Sequence, residues 1–120
     1  MTDNPSNLGN YVTADNMHGA DLSWVQLPKA VLFDPILDDC DLSQSNLVGI
    51  QLKHAHMRRV NFSGALLTYA WFKQCDLTEA VITGDTNVCE IGYDSATLWP
   101  SGFTPPPSRV DIDNAHDEPH

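Results

Sequence analysis

Large apolar residues recur at every fifth position along more than half of this chain. Each five-residue block between Ala20 and Gly84 has one at its centre, and none of the thirteen central residues is polar. The residue two positions before each centre is mostly small, as at Ala30 and Ala65. The central residues are Leu22, Leu27, Leu32, Leu37, Leu42, Leu47, Leu52, Met57, Phe62, Leu67, Phe72, Leu77 and Ile82.

This five-residue period excludes a single regular element. A helix repeats about every 3.6 residues and a strand about every 2.0, so neither would keep all the centres on one buried side. The chain must therefore turn between blocks, with the small residue inside each turn and the central residue filling the space between turns. The pattern predicts a solenoid, in which stacked coils bury one continuous core.

The tandem blocks resemble the pentapeptide-repeat family, whose unit is a small residue, then aspartate or asparagine, then leucine and two further residues. The resemblance covers residues 20–84, as in ADLSW and CDLSQ. It implies an all-β fold, a right-handed quadrilateral β-helix in which four blocks make one square coil. At the strand spacing of about 4.8 Å, residues 20–84 then form about three coils.

Residues 20 positions apart support a coil of four blocks. Ser23, Ser43 and Ser63 form one outward column in this register, and Thr83 continues it. Hydroxyl side chains on adjacent strands stabilise sheets. We interpret this column as a hydroxyl ladder between coils.

Charged residues form a second column in the same register. Two acids, Asp38 and Asp39, lie 20 positions before Arg58 and Arg59. Glu79 lies 20 positions after Arg59. Opposite charges on adjacent strands stabilise each other. We interpret these residues as a structural charge column, made of Asp38, Asp39, Arg58, Arg59 and Glu79.

The repeats leave three other segments. We expect an N-terminal cap or irregular first coil at residues 1–19, a C-terminal capping segment at 85–107, and a flexible acidic tail at 108–120. The sequence YDSATLWPSGFTP, from Tyr93 to Pro105, resembles a tail that follows the repeats in many bacterial, especially cyanobacterial, family members. The predicted packing anchors of the capping segment are Ile91, Trp99 and Phe103.

The amino end and the cysteines indicate a cytoplasmic protein. MTDNPSNLGN has neither a positive start nor an apolar run, so no secretory signal and no membrane span are predicted. Cys40 and Cys75 hold the small inward position, where a thiol behaves like a slightly larger alanine. We expect all three cysteines to be reduced. A bridge between Cys75 and Cys89 is the one pairing left open.

A net charge of −10 raises the hypothesis of DNA mimicry. Some pentapeptide-repeat proteins resemble a DNA duplex in shape and charge, and inhibit or protect DNA gyrase. Residues 20–84 have seven acids and five bases, whereas residues 85–120 have a net charge of −6. A DNA mimic needs acids spread along the rod, whereas most of the net charge here lies after the repeats. A modulator of DNA gyrase or another topoisomerase is therefore the alternative function and not the first choice. Direct nucleic-acid binding is not expected, because Arg58 and Arg59 face acidic neighbours.

No constellation of residues predicts catalysis. The serine column has no nearby histidine to act as a base. His54 and His56 are separated by a corner and lack a third ligand, so no metal site is predicted. We expect a protein that is not an enzyme and has no cofactor, with an unrecognised enzyme as the second alternative.

Several outward positions are apolar or aromatic. Leu66, Tyr69 and Trp71 lie on two neighbouring sides of the last complete coil, with Val48 one coil earlier and Phe33 nearer the amino end. Large exposed patches of this kind mark interfaces. Either the C-terminal tail docks on this patch, or a partner protein or second copy of the chain binds there.

The sequence therefore predicts a rigid, non-enzymatic scaffold that acts as a protein-protein interaction module. Its partner is an unidentified protein, and neither nucleic acid nor membrane is expected to bind.

Overall fold

The computed structural model of this chain is a right-handed, four-sided β-helix, which confirms the predicted fold class. The structure describes residues 11–12 and 16–110. Five short strands form one parallel sheet in chain order. They are β1 (Tyr11–Val12), β2 (Val31–Phe33), β3 (Gln51–Lys53), β4 (Trp71–Lys73) and β5 (Gly92–Tyr93).

Each coil consists of four five-residue blocks, as the columns predicted. Val31 pairs with Gln51, and Gln51 pairs with Trp71. Isolated bridges such as Asp21 with Asp41 join the other three sides in the same register. Each side therefore recurs four blocks later, in the next coil. In the first coil the four sides are side 1 (20–24), side 2 (25–29), side 3 (30–34) and side 4 (35–39).

The core runs along the axis of the rod. Twelve of the thirteen central residues are buried, and the thirteenth, Ile82, is half-buried against the core. The small inward positions close the corners, and Ala30, Ala65 and Ala70 are fully buried there. Burying a Leu or Phe side chain contributes roughly 1.5–3 kcal/mol. The repeated central residue is therefore the main source of stability.

The corners use a left-handed backbone conformation at almost every turn. The second residue after the centre has a positive φ in twelve of the thirteen blocks, for example 63° at Lys29 and 64° at Tyr69, and Gly84 is the exception. At most corners the next residue donates its N–H to the central carbonyl, as Ala65 does to Phe62 at 2.9 Å. Non-glycine residues adopt this conformation at an energetic cost, which the buried core must offset.

Pro35 lies at a corner that makes no such turn bond. Among the described corners, those between sides 3 and 4 lack the N–H donation to the central carbonyl. The absent N–H of proline therefore removes no turn hydrogen bond. The Pro35 carbonyl accepts a bond from the His56 N–H at 2.9 Å, so the ladder to the next coil is kept.

The β-helix continues past Gly84, where the sequence period ends. Leu66 bridges Asn87, one position beyond the four-block register, and Asp76 bridges Leu98, two positions beyond it. The inserted residues are taken up at corners, so the ladder continues into β5. The insertions break the period in the sequence and leave the stacking intact.

Aromatic residues close the carboxyl end of the core. Ile91 is fully buried, at an inward corner. The ring of Trp99 lies 5.4 Å from that of Phe72, 5.3 Å from that of Tyr93 and 5.5 Å from that of Phe103. Edge-to-face contacts of this kind add to the burial of apolar area. Of the predicted anchors, Ile91 and Trp99 thus pack in this end of the core, and Phe103 packs against the Trp99 ring.

The chain then turns back along β5. The Tyr93 hydroxyl donates to the Pro106 carbonyl at 2.6 Å, and the Tyr93 N–H donates to the Ser108 hydroxyl at 2.9 Å. The Arg109 N–H donates to the Ile91 carbonyl at 2.8 Å. Residues 106–110 therefore cover the open edge of β5, which protects it from pairing with other chains. Residues 111–120 of the expected flexible tail and most of the expected N-terminal cap lie outside the described residues.

Candidate protein-interaction surface

The fold divides the predicted apolar patch into an exposed part and a buried part. Leu66 is 42%, Tyr69 50% and Phe33 40% exposed, and Val48 is half-buried. Trp71 is only 3% exposed. The outward position of Trp71 is therefore covered, which agrees at this residue with the alternative that the C-terminal tail docks on the patch.

Trp71 is buried because the residue above it in the column has no side chain. A Cβ at Gly92 would lie 2.4 Å from Trp71 Cδ1 and 3.0 Å from Val110 Cγ2. The indole thus occupies the space left by Gly92, and Val110 closes it from outside. The C-terminal segment covers Trp71 through these two residues, whereas Trp99 and Phe103 pack at the end of the core.

Tyr69 keeps half of its surface exposed beside the same segment. The Arg109 guanidinium lies 5.4 Å from the Tyr69 ring, within the range of a cation–π contact. The Arg109 Nε also donates to the Glu90 carbonyl at 3.0 Å. These contacts hold Tyr69 at the corner between sides 2 and 3, with its remaining surface open to a partner.

Phe33 has a neighbour of a different kind. On side 3, the Lys53 ammonium lies 5.2 Å from the centre of the Phe33 ring. The ring is therefore partly covered by a charged group of its own chain. This separates Phe33 from the apolar residues of side 2.

Charge is distributed unequally between opposite sides of the rod. Within the described residues, the blocks of side 2 contain only two charged residues, Lys29 and Glu90, and the Arg109 guanidinium of the C-terminal segment adds a third charge against Tyr69. Interface centres are depleted in charged residues, so side 2 has the composition of a docking surface. Side 4 lies opposite and contains the charged residues Asp38, Asp39, Arg58, Arg59, Asp76 and Glu79.

The charge column on side 4 is centred on Arg59. Arg59 Nε lies 2.7 Å and Nη2 3.0 Å from the Asp39 carboxylate oxygens, and Nη1 lies 3.7 Å from Glu79 Oε1. The hydrogen bonds from Arg59 lower the pKa of Asp39 to about 2. His18 Nε2 extends the column, at 2.9 Å from Asp39 Oδ2.

Asp38 and Arg58 interact differently. The Asp38 carboxylate accepts a hydrogen bond from the Arg58 backbone N–H at 2.8 Å. The two side chains form no ion pair with each other among the described contacts. The structural part of the predicted column is therefore Asp39, Arg59 and Glu79.

The serine column forms hydrogen bonds within each coil. The Ser23 hydroxyl donates to Asp21 Oδ1 at 2.6 Å, and the Ser43 hydroxyl donates to Asp41 Oδ1 at 2.6 Å. Residues two apart on a strand point to the same face, so these side chains meet without reaching the next coil. The hypothesis of a hydroxyl ladder between coils is wrong, and the hydroxyls stabilise the turns instead.

The cysteines offer little chemistry. All three are free, so the bridge between Cys75 and Cys89 is not formed. Burial raises the pKa of Cys75 to about 12, and burial also raises the pKa of Cys40. Their thiols are therefore protonated and unreactive at neutral pH. Only Cys89, on side 2, is exposed.

The described part of the chain contains neither a metal-binding cluster nor a membrane-spanning helix. Residues 11–12 and 16–110 contain no group of three or more His, Cys, Asp and Glu side chains placed to hold a metal ion. The same residues form no helix that could cross a lipid bilayer.

Comparison with known proteins identifies the family of the repeats. The model of pentapeptide repeats matches residues 36–68 and 61–84, with eight copies. Residues 36–84 of this chain are pentapeptide repeats. No curated protein sequence matches it significantly.

Two solved structures of cyanobacterial pentapeptide-repeat proteins have the same fold. Rfr23 from Cyanothece 51142 is 29% identical with a TM-score of 0.66, and the match covers 74% of this chain and 63% of that one. HetL from Nostoc sp. strain PCC 7120, involved in heterocyst differentiation regulation, is 22% identical with a TM-score of 0.68, over 77% and 40%. The chain thus spans less than two thirds of either relative.

Trp24 is an exposed aromatic residue outside the predicted patch. Trp24 is 68% exposed, at the corner between sides 1 and 2, with a φ of 65°. It holds the same position in its block as Tyr69, the second after the centre. That position always faces outward at a corner, so the repeat itself contained the signal. Trp24 therefore lies at the edge of side 2, two coils before Leu66 and Tyr69.

Proposed function

We propose that this protein is a non-enzymatic scaffold that binds a partner protein through side 2. One observation carries the proposal. Side 2 combines the exposed residues Leu66 and Tyr69 with only two charged residues in its described blocks, whereas the opposite side is densely charged.

The physical reason is the composition of a binding surface. Tyrosine and tryptophan are enriched among the residues that dominate binding energy, since they bury a large area with few rotatable bonds. Tyr69 is also positioned by the Arg109 guanidinium over its ring. A partner that covers Leu66 and the open part of Tyr69 therefore gains apolar burial without desolvating the charge column of side 4.

Rigidity adds to the suitability of this surface. Ladder hydrogen bonds fix side 2 from coil to coil, for example from the Leu47 N–H to the Leu66 carbonyl at 2.9 Å. Binding therefore orders little of the backbone, which lowers the entropic cost of association. We propose that the protein acts in the cytoplasm, because its three free thiols suit a reducing compartment.

The charges of the rod do not favour the gyrase alternative. Arg59 stands between Asp39 and Glu79 in the column of side 4, so the sign of the charge alternates from coil to coil. A DNA duplex instead presents a continuous series of negative phosphates. The exposed apolar residues of side 2 have no counterpart in such a surface.

Affinity capture from a native lysate tests the proposal. A Leu66→Ser, Tyr69→Ala variant should lose a protein that the wild type retains. Leu98→Ser is the matched control, because Leu98 is 55% exposed at a position on side 4. Retention of the partner by both variants, or its equal loss from both, would rule out side 2 as the docking surface.

A further inference from the structure

We infer that side 2 binds a second copy of this chain, in an antiparallel dimer with two-fold symmetry. This inference rests on the proposed function and specifies its partner. It follows from the order of four residues along the corner between sides 2 and 3. From the amino end to the carboxyl end of the rod, this corner column consists of Lys29, Gly49, Tyr69 and Glu90.

The corner column is complementary to its own reverse. A two-fold axis that lies in the plane of side 2, perpendicular to the rod, sets two copies face to face in opposite directions. The same corner of both copies then meets, with the first residue of the column opposite the last. Lys29 faces Glu90 of the second copy, and Gly49 faces Tyr69 of the second copy. Both contacts occur twice.

The inner pair matches a protrusion to a depression. Tyr69 is 50% exposed, whereas Gly49 has no side chain. A Cβ at Gly49 would lie 3.3 Å from Lys29 Cγ, so the methylene stem of Lys29 forms the floor of the depression. An aromatic ring packs well on such a stem, because the stem is apolar and the ammonium group remains in water.

The outer pair matches opposite charges. Neither Lys29 nor Glu90 forms an ion pair with another residue in the described part of the chain. Opposing charges at the two ends of an interface fix its direction, since a parallel two-fold arrangement would not bring Lys29 near Glu90. The charged groups of side 4 lie on the far side of each copy, away from the contact.

The interface is small. Three steps of about 4.8 Å separate the levels of Lys29 and Glu90, so the contact is only about 14 Å tall. Permanent dimers bury larger areas, and contacts at the low end of the range are transient. The dimer should therefore form at high protein concentration and exchange rapidly, and chemical trapping is the appropriate measurement.

The chain has a natural reporter for this register. Cys89 is exposed at the carboxyl-terminal end of side 2, in the column that begins with Pro28, whereas Cys40 and Cys75 are buried. In the antiparallel dimer Pro28 faces Cys89 of the second copy. Packed sheets lie about 10 Å apart, which is too far for a disulfide and suits a bis-maleimide of that length.

Cross-linking of the full chain with this reagent tests the inference. Pro28→Cys should give a covalent dimer on a denaturing gel. The wild type should give none, because its two Cys89 thiols lie at opposite ends of the dimer. Ser43→Cys, on side 1, is the matched control. A yield from Pro28→Cys no higher than that from Ser43→Cys would overturn the inference.

Charge reversal distinguishes specific pairing of Lys29 with Glu90 of the second copy from cross-linking by random collision of two chains. In the Pro28→Cys background, Lys29→Glu should reduce the dimer yield several-fold, and adding Glu90→Lys should restore it. A yield unaffected by the single reversal, or not restored by the double one, would overturn the antiparallel register. Equal unfolding temperatures of the variants exclude loss of the fold as the cause.

The two proposals fail in different ways. If Leu66→Ser, Tyr69→Ala loses a captured partner while Pro28→Cys gives no dimer, side 2 binds a different protein and the inference is wrong. If Leu66→Ser, Tyr69→Ala loses no captured partner and Pro28→Cys gives no dimer, the proposed function is wrong as well.

Discussion

The indole of Trp71 occupies the space that a side chain at Gly92 would need. A Cβ at Gly92 would lie 2.4 Å from Trp71 Cδ1 and 2.5 Å from Trp71 Nε1. These two residues are paired in β4 and β5. The contact explains how an outward position of the repeat becomes buried, and it holds the C-terminal segment against the last coil.

Gly92→Ala should lower the free energy of unfolding by about 1–3 kcal/mol, because the added methyl group overlaps the indole ring. It should also shift the tryptophan fluorescence to longer wavelength as Trp71 is displaced into water. Urea unfolding followed by fluorescence measures both effects. Gly84→Ala is the control, since a Cβ there meets no atom within 4 Å. Equal destabilisation by both substitutions would contradict this packing.

Thr97→Val should destabilise the carboxyl end of the core. The buried Thr97 hydroxyl lies 2.9 Å from the Phe72 carbonyl oxygen and 2.8 Å from the Asp94 carboxylate. Valine has the same shape without the hydroxyl, and loss of a buried hydrogen-bond donor costs about 1–3 kcal/mol. Thr97→Ser keeps the hydroxyl and should cost less. Chemical unfolding of the two variants decides, and a loss from Thr97→Ser as large as that from Thr97→Val would contradict a dominant contribution of the hydroxyl.

Arg59→Ala should lower the melting temperature more than Arg58→Ala. Arg59 forms ion pairs with Asp39 and Glu79, whereas Arg58 donates only its backbone N–H to Asp38. Added salt screens exposed charges, so the difference between the variants should shrink between low and high ionic strength. Thermal unfolding at both ionic strengths provides the measurement. A larger effect from Arg58→Ala would contradict the assignment of the column to Arg59.

Asp39→Asn should remove a pH-dependent part of the stability. The pKa of Asp39 is lowered to about 2, chiefly by the hydrogen bonds from Arg59, against an ordinary value of about 3.9. A carboxyl with a lowered pKa stabilises the fold above its unfolded pKa, and this contribution disappears as the pH falls through the folded pKa. The wild type should therefore melt above the variant at pH 5, with the difference vanishing between about pH 4 and pH 2. A difference independent of pH would refute the ion pair as its source.

The repeat made the fold and its register predictable. The apolar centres and the four-block columns are properties of the sequence, and the bridge between Asp21 and Asp41 confirms the coil length. The coil after Gly84 was not predictable from the period, because inserted residues shift Asn87 and Leu98 out of the five-residue pattern. Hydrogen bonding between coils tolerates an insertion at a corner, whereas a sequence period does not.

The candidate surface was predictable only in part. Leu66 and Tyr69 lie at outward positions and are exposed, as the repeat indicated. The burial of Trp71 depends on Gly92, a residue beyond the repeats whose column could be assigned only after the insertion was known. The partners of the serine hydroxyls depend on the local turn conformation, which the stacking register does not specify.

Site-specific photo-cross-linking tests whether side 2 is the surface that binds a partner. A photoreactive amino acid is placed at Thr68, on side 2, and in a second variant at Thr78, the same position of the block on side 4. If side 2 is the binding surface, position 68 should give a protein adduct and position 78 none above background. The mass of the adduct distinguishes a second copy of this chain from another protein. Equal adducts from both positions, or an adduct from position 78 alone, would contradict the assignment of side 2 as the binding surface.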